Sequence, residues 1–294
     1  MSAISTTFNG LAASKLEYDS MSVTVTEFGS HVVSWTVNDV EMIFMSKSSK
    51  FDKSKALRGG IPIVFPQFRE PLQSMNQHGF ARNKEWKLIN TSDNKDNKLM
   101  FELLSDESTL EQWPHEFKLI YTISLEKPTN LVLDLKVENI GNKSFQCHTL
   151  LHTYFRLNDS SETIIGGFDN MMYKSNIDNK EYKNETTTNR INQEIDRIYS
   201  NFYNKEEDEK FVSIYPDAGL RSMKIYAEAS LTPNNNKVPV DVVFWNAWID
   251  RCKAMGDLDD DAYKHYVCIE PGTIEWVTVE AGESLQLTKR MVYS

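Results

Sequence analysis

The sequence is poor in the features that mark secreted, membrane-spanning and disulfide-stabilised proteins. Its 294 residues include only three cysteines, and these show no C-x-x-C spacing. No apolar run reaches the length of about 18 residues that a membrane helix needs. The amino-terminal residues lack a basic start followed by an apolar core. We therefore expect a cytoplasmic protein with reduced thiols and no contact with a membrane.

The sequence also lacks an excess of basic residues. Lysine and arginine number 32 against 42 aspartates and glutamates, which gives a formal net charge of −10. Because a nucleic-acid backbone requires a broad basic surface, we expect no nucleic-acid partner. Any site for an anion must therefore be local and built from a few arginines.

Several common catalytic motifs are missing. The sequence contains no G-x-S-x-G, no G-x-x-x-x-G-K-[ST] and no G-x-G-x-x-G, and its six histidines show neither H-E-x-x-H nor H-x-H spacing. The acidic stretch DLDDDAY, residues 257–263, lacks the central glycine and terminal glutamate of an EF-hand loop. We interpret this stretch as a solvated loop, and we expect no metal and no cofactor.

A two-residue period of apolar side chains dominates the sequence. Eight segments rich in β-branched and aromatic residues are predicted as strands: 22–28, 31–37, 98–104, 117–126, 131–141, 223–229, 240–245 and 274–293. The last segment contains EAGES, which we interpret as the tip of a hairpin. Helical periodicity is scarce. The pattern predicts one all-β domain over residues 1–294, an antiparallel sandwich with few short helices.

One long polar segment interrupts this pattern. Residues 174–210 are rich in asparagine, lysine and glutamate and are predicted to be a long connection. Its second half contains Ile195, Ile198, Tyr199, Phe202 and Tyr203, and these apolar side chains are expected to attach that half to the core.

Two arginines stand out because glycines surround them. Arg58 lies in LRGGIPIVFPQF, residues 57–68, and Arg82 ends QHGFAR, residues 77–82. Glycine permits tight turns near a ligand, and guanidinium groups supply paired donors for phosphate or sugar oxygens. The alternative is that both arginines are ordinary surface residues.

A histidine and a glutamate form a second candidate pair. In CHTLLHTYFRL, strand alternation places His148, His152 and Tyr154 on one face. Glu270 lies in the apolar context YVCIEPGTIEW, where burial would raise its pKa towards the range of a general base unless a cation held it ionised. Taken singly, His152 could be a core histidine with its hydrogen bonds satisfied, and Glu270 could face solvent at the end of a strand.

Seven short blocks in order give a family resemblance: LRGGIPIVFPQF, QHGFAR, WPHEF, LLHTYF, IDRIY, WNAW and CIEPG. Together they resemble the aldose 1-epimerase superfamily, specifically its glucose-6-phosphate 1-epimerase branch. The resemblance implies a large antiparallel β-sandwich of the galactose mutarotase type without metal or cofactor. It also implies exchange of the α and β anomers of a phosphorylated hexose, glucose 6-phosphate above all. We expect that small molecule as the partner, and a monomer.

Carried onto the matching positions, the resemblance implies His152 and Glu270 as the catalytic pair. The chemistry of anomer exchange suits Glu270 as the carboxylate base and His152 as the imidazolium acid. The resemblance also implies substrate contacts at Arg58, Gln77, Arg82 and Asp196, with His78 as a further contact or support. Ala247 in WNAW and Pro271 in CIEPG depart from the residues usual in the family, but neither position carries a reacting group. Trp245 and Trp248 could stack on a sugar or pack in the core.

Two other functions remain open from the residues alone. A glycoside hydrolase on a similar sandwich would need two carboxylates beside the scissile bond, for which Glu270 and Asp196 are available. A sugar-binding module without catalysis would use the same cleft as a sensor. Release of free sugar would identify the first, and binding without faster anomer exchange the second.

Overall fold

The structure, a computed structural model, describes residues 3–89, 97–203, 210–216 and 221–294. The described residues form twenty-three strands and two α-helices. In chain order the strands are β1 (Ile4–Phe8), β2 (Leu11–Tyr18), β3 (Met21–Thr26), β4 (His31–Val37), β5 (Val40–Glu41), β6 (Ile63–Val64), β7 (Lys87–Leu88), β8 (Lys98–Leu104), β9 (Phe117–Glu126), β10 (Asn130–Asn139), β11 (Phe145–Leu151), β12 (Tyr154–Arg156), β13 (Ile164–Gly166), β14 (Met172–Ser175), β15 (Glu181–Lys183), β16 (Thr188–Asn189), β17 (Ile195–Tyr203), β18 (Val212–Tyr215), β19 (Met223–Thr232), β20 (Asn236–Val238), β21 (Val240–Asn246), β22 (Tyr266–Val279) and β23 (Ser284–Tyr293). The helices are α1 (Glu107–Gln112) and α2 (Trp248–Ala254), and short 3-10 turns cover Ala81–Asn83 and Ala262–Lys264.

The strands form three antiparallel sheets. The ten-stranded sheet has the order β16-β13-β18-β19-β23-β10-β9-β8-β7, with β20 paired to β19. The eight-stranded sheet has the order β15-β14-β17-β21-β22-β11-β6, with β12 paired to β22, and β1 to β5 form a third sheet in sequence order. This arrangement confirms the predicted all-β antiparallel class.

The core lies between the two large sheets and explains why the two-residue period is so clear. Along β9 and β10 every second residue is buried, as the alternation predicts. Side chains from both large sheets and from the third sheet join one apolar cluster that contains Tyr121, Leu133, Val242 and Ile269. Burial of one face of each strand therefore fixes the register of the sandwich.

The middle of the eight-stranded sheet is buried on both faces. All seven residues of β21 and the first eight of β22 are buried. Val242 and Phe244 enter the main core, whereas Val243 and Trp245 join a smaller apolar cluster on the opposite face. That second face supports the candidate site described below.

The predicted hairpin at EAGES is wrong. β22 pairs with β11, β12 and β21, while β23 pairs with β10 and β19 in the other large sheet. The turn after Val279 therefore carries the chain from one sheet to the other, and the amide of Gly282 donates to the carbonyl of Asn139. Alternation identifies strands, but it does not identify their partners.

The prediction of a long connection over 174–210 is also wrong in part. This region contributes half of β14 and all of β15, β16 and β17 to the two large sheets, and residues 204–209 lie outside the described part of the chain. The expected attachment of its second half is confirmed, because Ile195, Tyr199, Phe202 and Tyr203 are buried in the main core. Ile198 is half-buried against the smaller cluster.

Two further features concern the thiols and the helices. Cys147, Cys252 and Cys268 are free and buried. Among the residues described, neither helix has the length and apolar character needed to cross a membrane.

Candidate active site

The structure brings all seven sequence-predicted site residues to one cavity. The cavity has a volume of about 430 Å³ and lies against the second face of the eight-stranded sheet. Four arginines, two histidines and three carboxylates make its lining strongly polar. The lining residues are Arg58, Phe68, Arg69, Glu70, Gln77, His78, Arg82, His152, Asn176, Asp196, Val243, Trp245, Arg251, Met255 and Glu270.

A second cavity of about 600 Å³ adjoins the first. The two cavities share Arg58, Glu70, Gln77 and Arg82 in their linings. The second adds two lysines, two asparagines and other residues from the segments around 53–57 and 76–83. Arg58 and Arg82 therefore stand at the junction between the two cavities.

His152 is positioned by a tight turn between two strands. β11 ends at Leu151 and β12 begins at Tyr154, and the amide of Thr153 donates to the carbonyl of Leu151 at 2.9 Å. This bond closes a three-residue turn with His152 at its centre. The imidazole stacks on Tyr154, with ring centroids 4.9 Å apart, and meets Trp245 edge-on. Its ring orientation is therefore set by aromatic packing.

Glu270 reaches the same point from β22. Its Oε1 lies 3.2 Å from Nδ1 of His152, and the side chains are 2% and 10% exposed, respectively. This contact is not a hydrogen bond, and Nδ1 of His152 has no hydrogen-bond partner among the described residues. The two groups are thus close enough for proton exchange through a small reorientation or through a bound hydroxyl.

Burial pushes the two groups away from their charged forms. It raises the pKa of Glu270 well above its usual value, and the carboxylate of Asp196 adds to this, although Lys289 and Arg82 oppose it. Burial lowers the pKa of His152 well below its usual value, and Arg82 adds to this. In the protein alone these shifts favour a neutral carboxylic acid beside a neutral imidazole, which together hold one titratable proton.

Arg58 is held by two partners. Its Nε and Nη2 donate to the carboxylate of Asp257 at 3.0 and 3.3 Å, and its Nη1 donates to the hydroxyl of Tyr154 at 3.0 Å. Burial alone would lower the pKa of Arg58, but Tyr154 and Asp257 outweigh it and raise the pKa. The guanidinium is therefore a fixed cation with part of its charge already compensated.

Arg82 is the less satisfied cation. Its Nη2 donates to the carbonyl of Gln77 at 2.7 Å, while its buried Nε has no hydrogen-bond partner among the described residues. Burial, followed by repulsion from Arg58, lowers the pKa of Arg82 to about 10. The group remains charged near neutral pH, so an anion beside it would satisfy both its charge and its free donor.

His78 and Gln77 lie in the segment between Arg69 and Arg82. His78 has a positive φ of 65°, and its Nδ1 accepts a hydrogen bond from the amide of Arg69 at 3.0 Å. Burial, together with the nearby Arg82, lowers the pKa of His78 well below its usual value. The ring is thus neutral with its proton on Nε2, which makes it a donor. Gln77 is exposed in the lining and fixes Arg82 through its carbonyl.

Asp196 lies on β17, where it is surrounded by donors. Its Oδ1 accepts from Nδ2 of Asn176 at 2.6 Å. Arg69 and Arg251 each approach one of its carboxylate oxygens at 3.5 Å. The result is an ion-pair cluster at one side of the cavity.

Sequence reasoning missed several charged residues of the site, of which Arg69, Arg251 and Asp257 form ion pairs with predicted site residues. Arg69 directly follows the stretch 57–68 and Arg251 lies on α2, and both line the cavity. Asp257 lies in the stretch that was predicted as a solvated loop, but it is 4% exposed and pairs with Arg58 and Lys55. That prediction is wrong for Asp257 because two cations hold its carboxylate. Arg69 could have been predicted as a site residue because it directly follows the stretch 57–68, whereas no feature of the sequence marks Arg251 or Asp257.

The glycines near the arginines are required by close contacts within the chain itself. At Gly79, with φ +72°, an added Cβ would lie 2.1 Å from the carbonyl oxygen of Phe65. At Gly60, with φ +67°, it would lie 2.2 Å from the ring of His31. These close approaches are between parts of the chain, so the predicted approach to a ligand is not what requires glycine here.

Two other residues considered from the sequence, His148 and Trp248, lie outside both linings. His148 lies at an irregularity of β11, stacks on Trp276 at 3.8 Å, and accepts from the amide of Phe68 through Nδ1. Trp248 packs against Tyr263. Of the two tryptophans, Trp245 is the one that lines the cavity.

Among the described residues, the metal-ligand types His152, Cys268 and Glu270 form a group whose donor atoms lie within 4.8 Å of one another. Its surroundings oppose a cation. Burial, with the carboxylate of Glu270, raises the pKa of the Cys268 thiol well above its usual value. The positive charges of Arg82 and Lys289 also act on His152 and Glu270, and they would repel a metal cation bound there. The residues present do not fit a metal ion.

Known proteins resemble this chain over nearly its whole length. A family model described as aldose 1-epimerase matches residues 14–292. A relative from Cenchrus ciliaris, named provisionally as a glucose-6-phosphate 1-epimerase, is 31% identical over 87% of this chain and 76% of its own length. A Salmonella typhimurium relative with the same provisional name is 31% identical over 82% of this chain and 76% of its own length.

Solved structures share the fold. A crystal structure from Salmonella typhimurium, described provisionally as a mutarotase, has a TM-score of 0.84 at 24% identity and covers 100% of this chain and 94% of its own. A galactose mutarotase related enzyme from Lactobacillus acidophilus has a TM-score of 0.75 at 16% identity, over 96% and 97% of the two chains. The predicted galactose mutarotase type of sandwich is confirmed.

Proposed function

The chain belongs to the aldose 1-epimerase family, and from this premise we propose that it interconverts the α and β anomers of a hexose 6-phosphate, with glucose 6-phosphate as the preferred substrate. The provisional names of the relatives from Cenchrus ciliaris and Salmonella typhimurium support this choice of substrate. The observation that carries the proposal is the close pair of His152 and Glu270 in a cavity lined by four arginines.

The reaction requires one acid and one base. A base removes the proton of the C1 hydroxyl while an acid donates a proton to the ring oxygen, and the open aldehyde rotates and closes on its other face. Glu270 and His152 are the groups placed for these two tasks, and their roles exchange on ring closure. Each proton taken is returned, so the reaction is balanced without any co-reactant.

One proton shared by the pair is sufficient for this chemistry. The sequence assigns the carboxylate to Glu270 and the imidazolium to His152, whereas burial favours the uncharged arrangement in the protein alone. A phosphate dianion beside Arg58 and Arg82 would offset the two cations that help to lower the pKa of His152. Binding of a phosphorylated substrate would thereby favour the imidazolium that acts as acid.

The phosphate is expected at the junction of the two cavities. Arg82 offers an unsatisfied Nε there, and Arg58 offers a fixed positive charge. Lys55 adds a further cation in the adjoining cavity, although it already pairs with Asp257. The sugar ring would then extend towards His152 and Glu270, with Trp245 as an apolar wall.

The environment of Asp196 argues against the hydrolase alternative. A glycosidase would need this carboxylate free to act as a second acid or nucleophile. Asn176, Arg69 and Arg251 occupy its oxygens, which suits a role in holding sugar hydroxyls or arginines. A binding module without catalysis would not need a buried acid–base pair, whose burial is unfavourable for stability.

Exchange NMR on glucose 6-phosphate tests the proposal. Catalytic amounts of protein should speed the exchange of α and β signals without consuming substrate. Free glucose, galactose and a simple glycoside serve as comparison compounds. Unchanged exchange for every aldose would reject the enzyme assignment, and release of free sugar from the glycoside would support the hydrolase instead.

A further inference from the structure

Lys289 is a fully buried lysine that crosses the core of the sandwich. It lies on β23 in the ten-stranded sheet, where Leu133 and Ala227 are its paired neighbours. Its Nζ donates to Oγ1 of Thr153 at 2.5 Å and to the carbonyl of Ile269 at 3.2 Å, both on the opposite side of the core. One ammonium therefore connects the two large sheets.

The two acceptors are the immediate neighbours of the proposed acid–base pair. Thr153 follows His152 in the tight turn between β11 and β12, and Ile269 precedes Glu270 on β22. Because successive side chains of a strand point to opposite faces, Ile269 faces the core while Glu270 faces the cavity. Lys289 thus holds from behind the two backbone segments that present the pair.

The charge of Lys289 has no ion-pair partner within 4 Å among the described residues. The titratable groups that act on it are Glu270 and Cys268, and Lys289 in turn acts on His152. The aromatic face of Phe155, whose centroid lies 5.1 Å from Nζ, is the other favourable contact. Burying an ammonium in this way is unfavourable, whereas an apolar side chain would fill the same space without that cost.

We propose that Lys289 is a positioning residue of the anomer-exchange reaction, which fixes the distance between His152 and Glu270 and supplies a buried positive charge behind Glu270. This inference rests on the proposed function. Its mechanical part is the bridge from Nζ to Thr153 and Ile269. Its electrostatic part is the attraction between the ammonium and the carboxylate across β22, which favours the ionised base.

The test compares Lys289→Met with Thr153→Val and Lys224→Met. Methionine keeps the chain length but removes charge and donors, valine removes one acceptor and keeps the charge, and Lys224 is a partly exposed lysine on β19 that serves as the matched control. We expect Lys289→Met to lower kcat by about tenfold with little change in KM, because small displacements of a reacting pair reduce rate steeply. Thr153→Val should lose activity without displacing the pH profile, and Lys224→Met should change neither.

The pH profile separates this role from a purely structural one. Lys289 is a cation below its pKa of about 7, where it lowers the pKa of both Glu270 and His152. The acidic limb of the kcat/KM profile should therefore move to higher pH by on the order of one unit in Lys289→Met. A folded Lys289→Met protein with the parent's kcat and acidic limb would overturn the inference.

Readouts without turnover keep the inference distinct from the proposed function. An NMR titration of His152 should show a higher pKa in Lys289→Met than in the parent, even if the parent proves inactive on every sugar. Should Lys289→Met not fold, the coupling can be measured in reverse, because Glu270→Gln should lower the pKa of Lys289 below its value of about 7. An unchanged pKa in that titration would overturn the inference.

Discussion

At the scale of single residues, His152 and Glu270 combine two opposing conditions. Burial removes the charge from each, and their 3.2 Å separation keeps a proton within reach of both. Without substrate, both groups of the pair are uncharged. When a substrate hydroxyl lies between them, a proton can pass from one group to the other. The proposed chemistry depends on both residues.

Replacement of either member should therefore abolish most of the activity. We expect His152→Ala and Glu270→Gln each to lower kcat at least about a hundredfold, because each removes one proton-transfer partner. The matched control is His148→Ala, a buried histidine on β11 that lies outside the cavity lining. Exchange NMR gives the rates and circular dichroism checks the fold. A variant of the pair with near-parent activity and an unchanged pH profile would remove that residue from the mechanism.

The two arginines should differ in their effect on phosphate. Arg82 has a free buried donor, whereas Arg58 is already engaged by Asp257 and Tyr154. We expect Arg82→Ala to weaken hexose 6-phosphate binding about ten- to a hundredfold, since a charge-assisted hydrogen bond contributes about 1.5–3 kcal/mol. Unphosphorylated hexose should lose less, and Arg58→Ala should discriminate less between the two sugars.

Titration calorimetry with both sugars measures this difference, and sulfate provides a second readout. Sulfate should compete with substrate in the parent and compete less well in Arg82→Ala. The control is Arg290→Ala, which removes an arginine that packs over Tyr226 on the ten-stranded sheet. Equal losses on both sugars in Arg82→Ala would place this arginine on ring hydroxyls instead of phosphate.

The sequence allowed the seven site residues to be named, but their partners could not be read from it. His152 and Glu270 are separated by over a hundred positions, and motif resemblance brought them together before the fold did. Asp257 shows the limit, because an acidic run gives no sign of which carboxylate a distant Arg58 will bury. Long-range ion pairs of this type depend on the packing of loops that carry no periodic signal.

At the scale of elements, the site depends on irregular backbone inserted between regular strands. The turn centred on His152 interrupts two strands, and Gly79 lies in the turn beside His78. Strand alternation predicts β9 and β10 well because each buries a single face. It does not predict that β22 and β23 belong to different sheets, because two strands of one hairpin would show the same alternation of apolar and polar residues.

Gly79 offers a direct test of one such irregular element. We expect Gly79→Ala to lower the free energy of unfolding by at least about 1–3 kcal/mol, because its positive φ disfavours a side chain and its Cβ would collide with the carbonyl of Phe65. Gly256→Ala is the matched control, since an added Cβ there meets nothing within 4 Å. Urea denaturation measures both. Equal stability of the two variants would contradict the backbone role of Gly79.

At the scale of the whole molecule, the sandwich separates an acidic exterior from a locally basic cavity. The chain has a net charge of −10, yet four arginines converge on the cavity and Lys289 lies in the core behind it. Such a distribution confines the attraction for an anion to one place on the molecule. It also concentrates buried ionisable groups there, so the stability of the entire fold should depend on pH through this region.

The pH dependence of Lys289→Met provides the global test. Burial lowers the pKa of Lys289 from 10.5 to about 7, so between those values the unfolded chain binds the proton that the folded protein has lost. Stability of the parent therefore gains from this group as pH rises through that window and lacks that gain below pH 7. The Lys289→Met variant lacks this pH-dependent contribution to stability. We expect its stability advantage over the parent to be largest below about pH 7 and to shrink by several kcal/mol towards pH 10.

The shifts of Glu270 and His152 also reduce the stability advantage of Lys289→Met as pH rises. Without the ammonium, the pKa of Glu270 rises further, which makes the variant lose stability as pH increases, and the pKa of His152 moves back towards its usual value. Urea denaturation of both proteins from about pH 6 to about pH 9.5 measures the difference, with Lys224→Met as the control that should run parallel to the parent. A difference between Lys289→Met and the parent that stays constant over this range would show that Lys289 does not titrate within the fold, because a lysine that keeps its charge in both states contributes no slope.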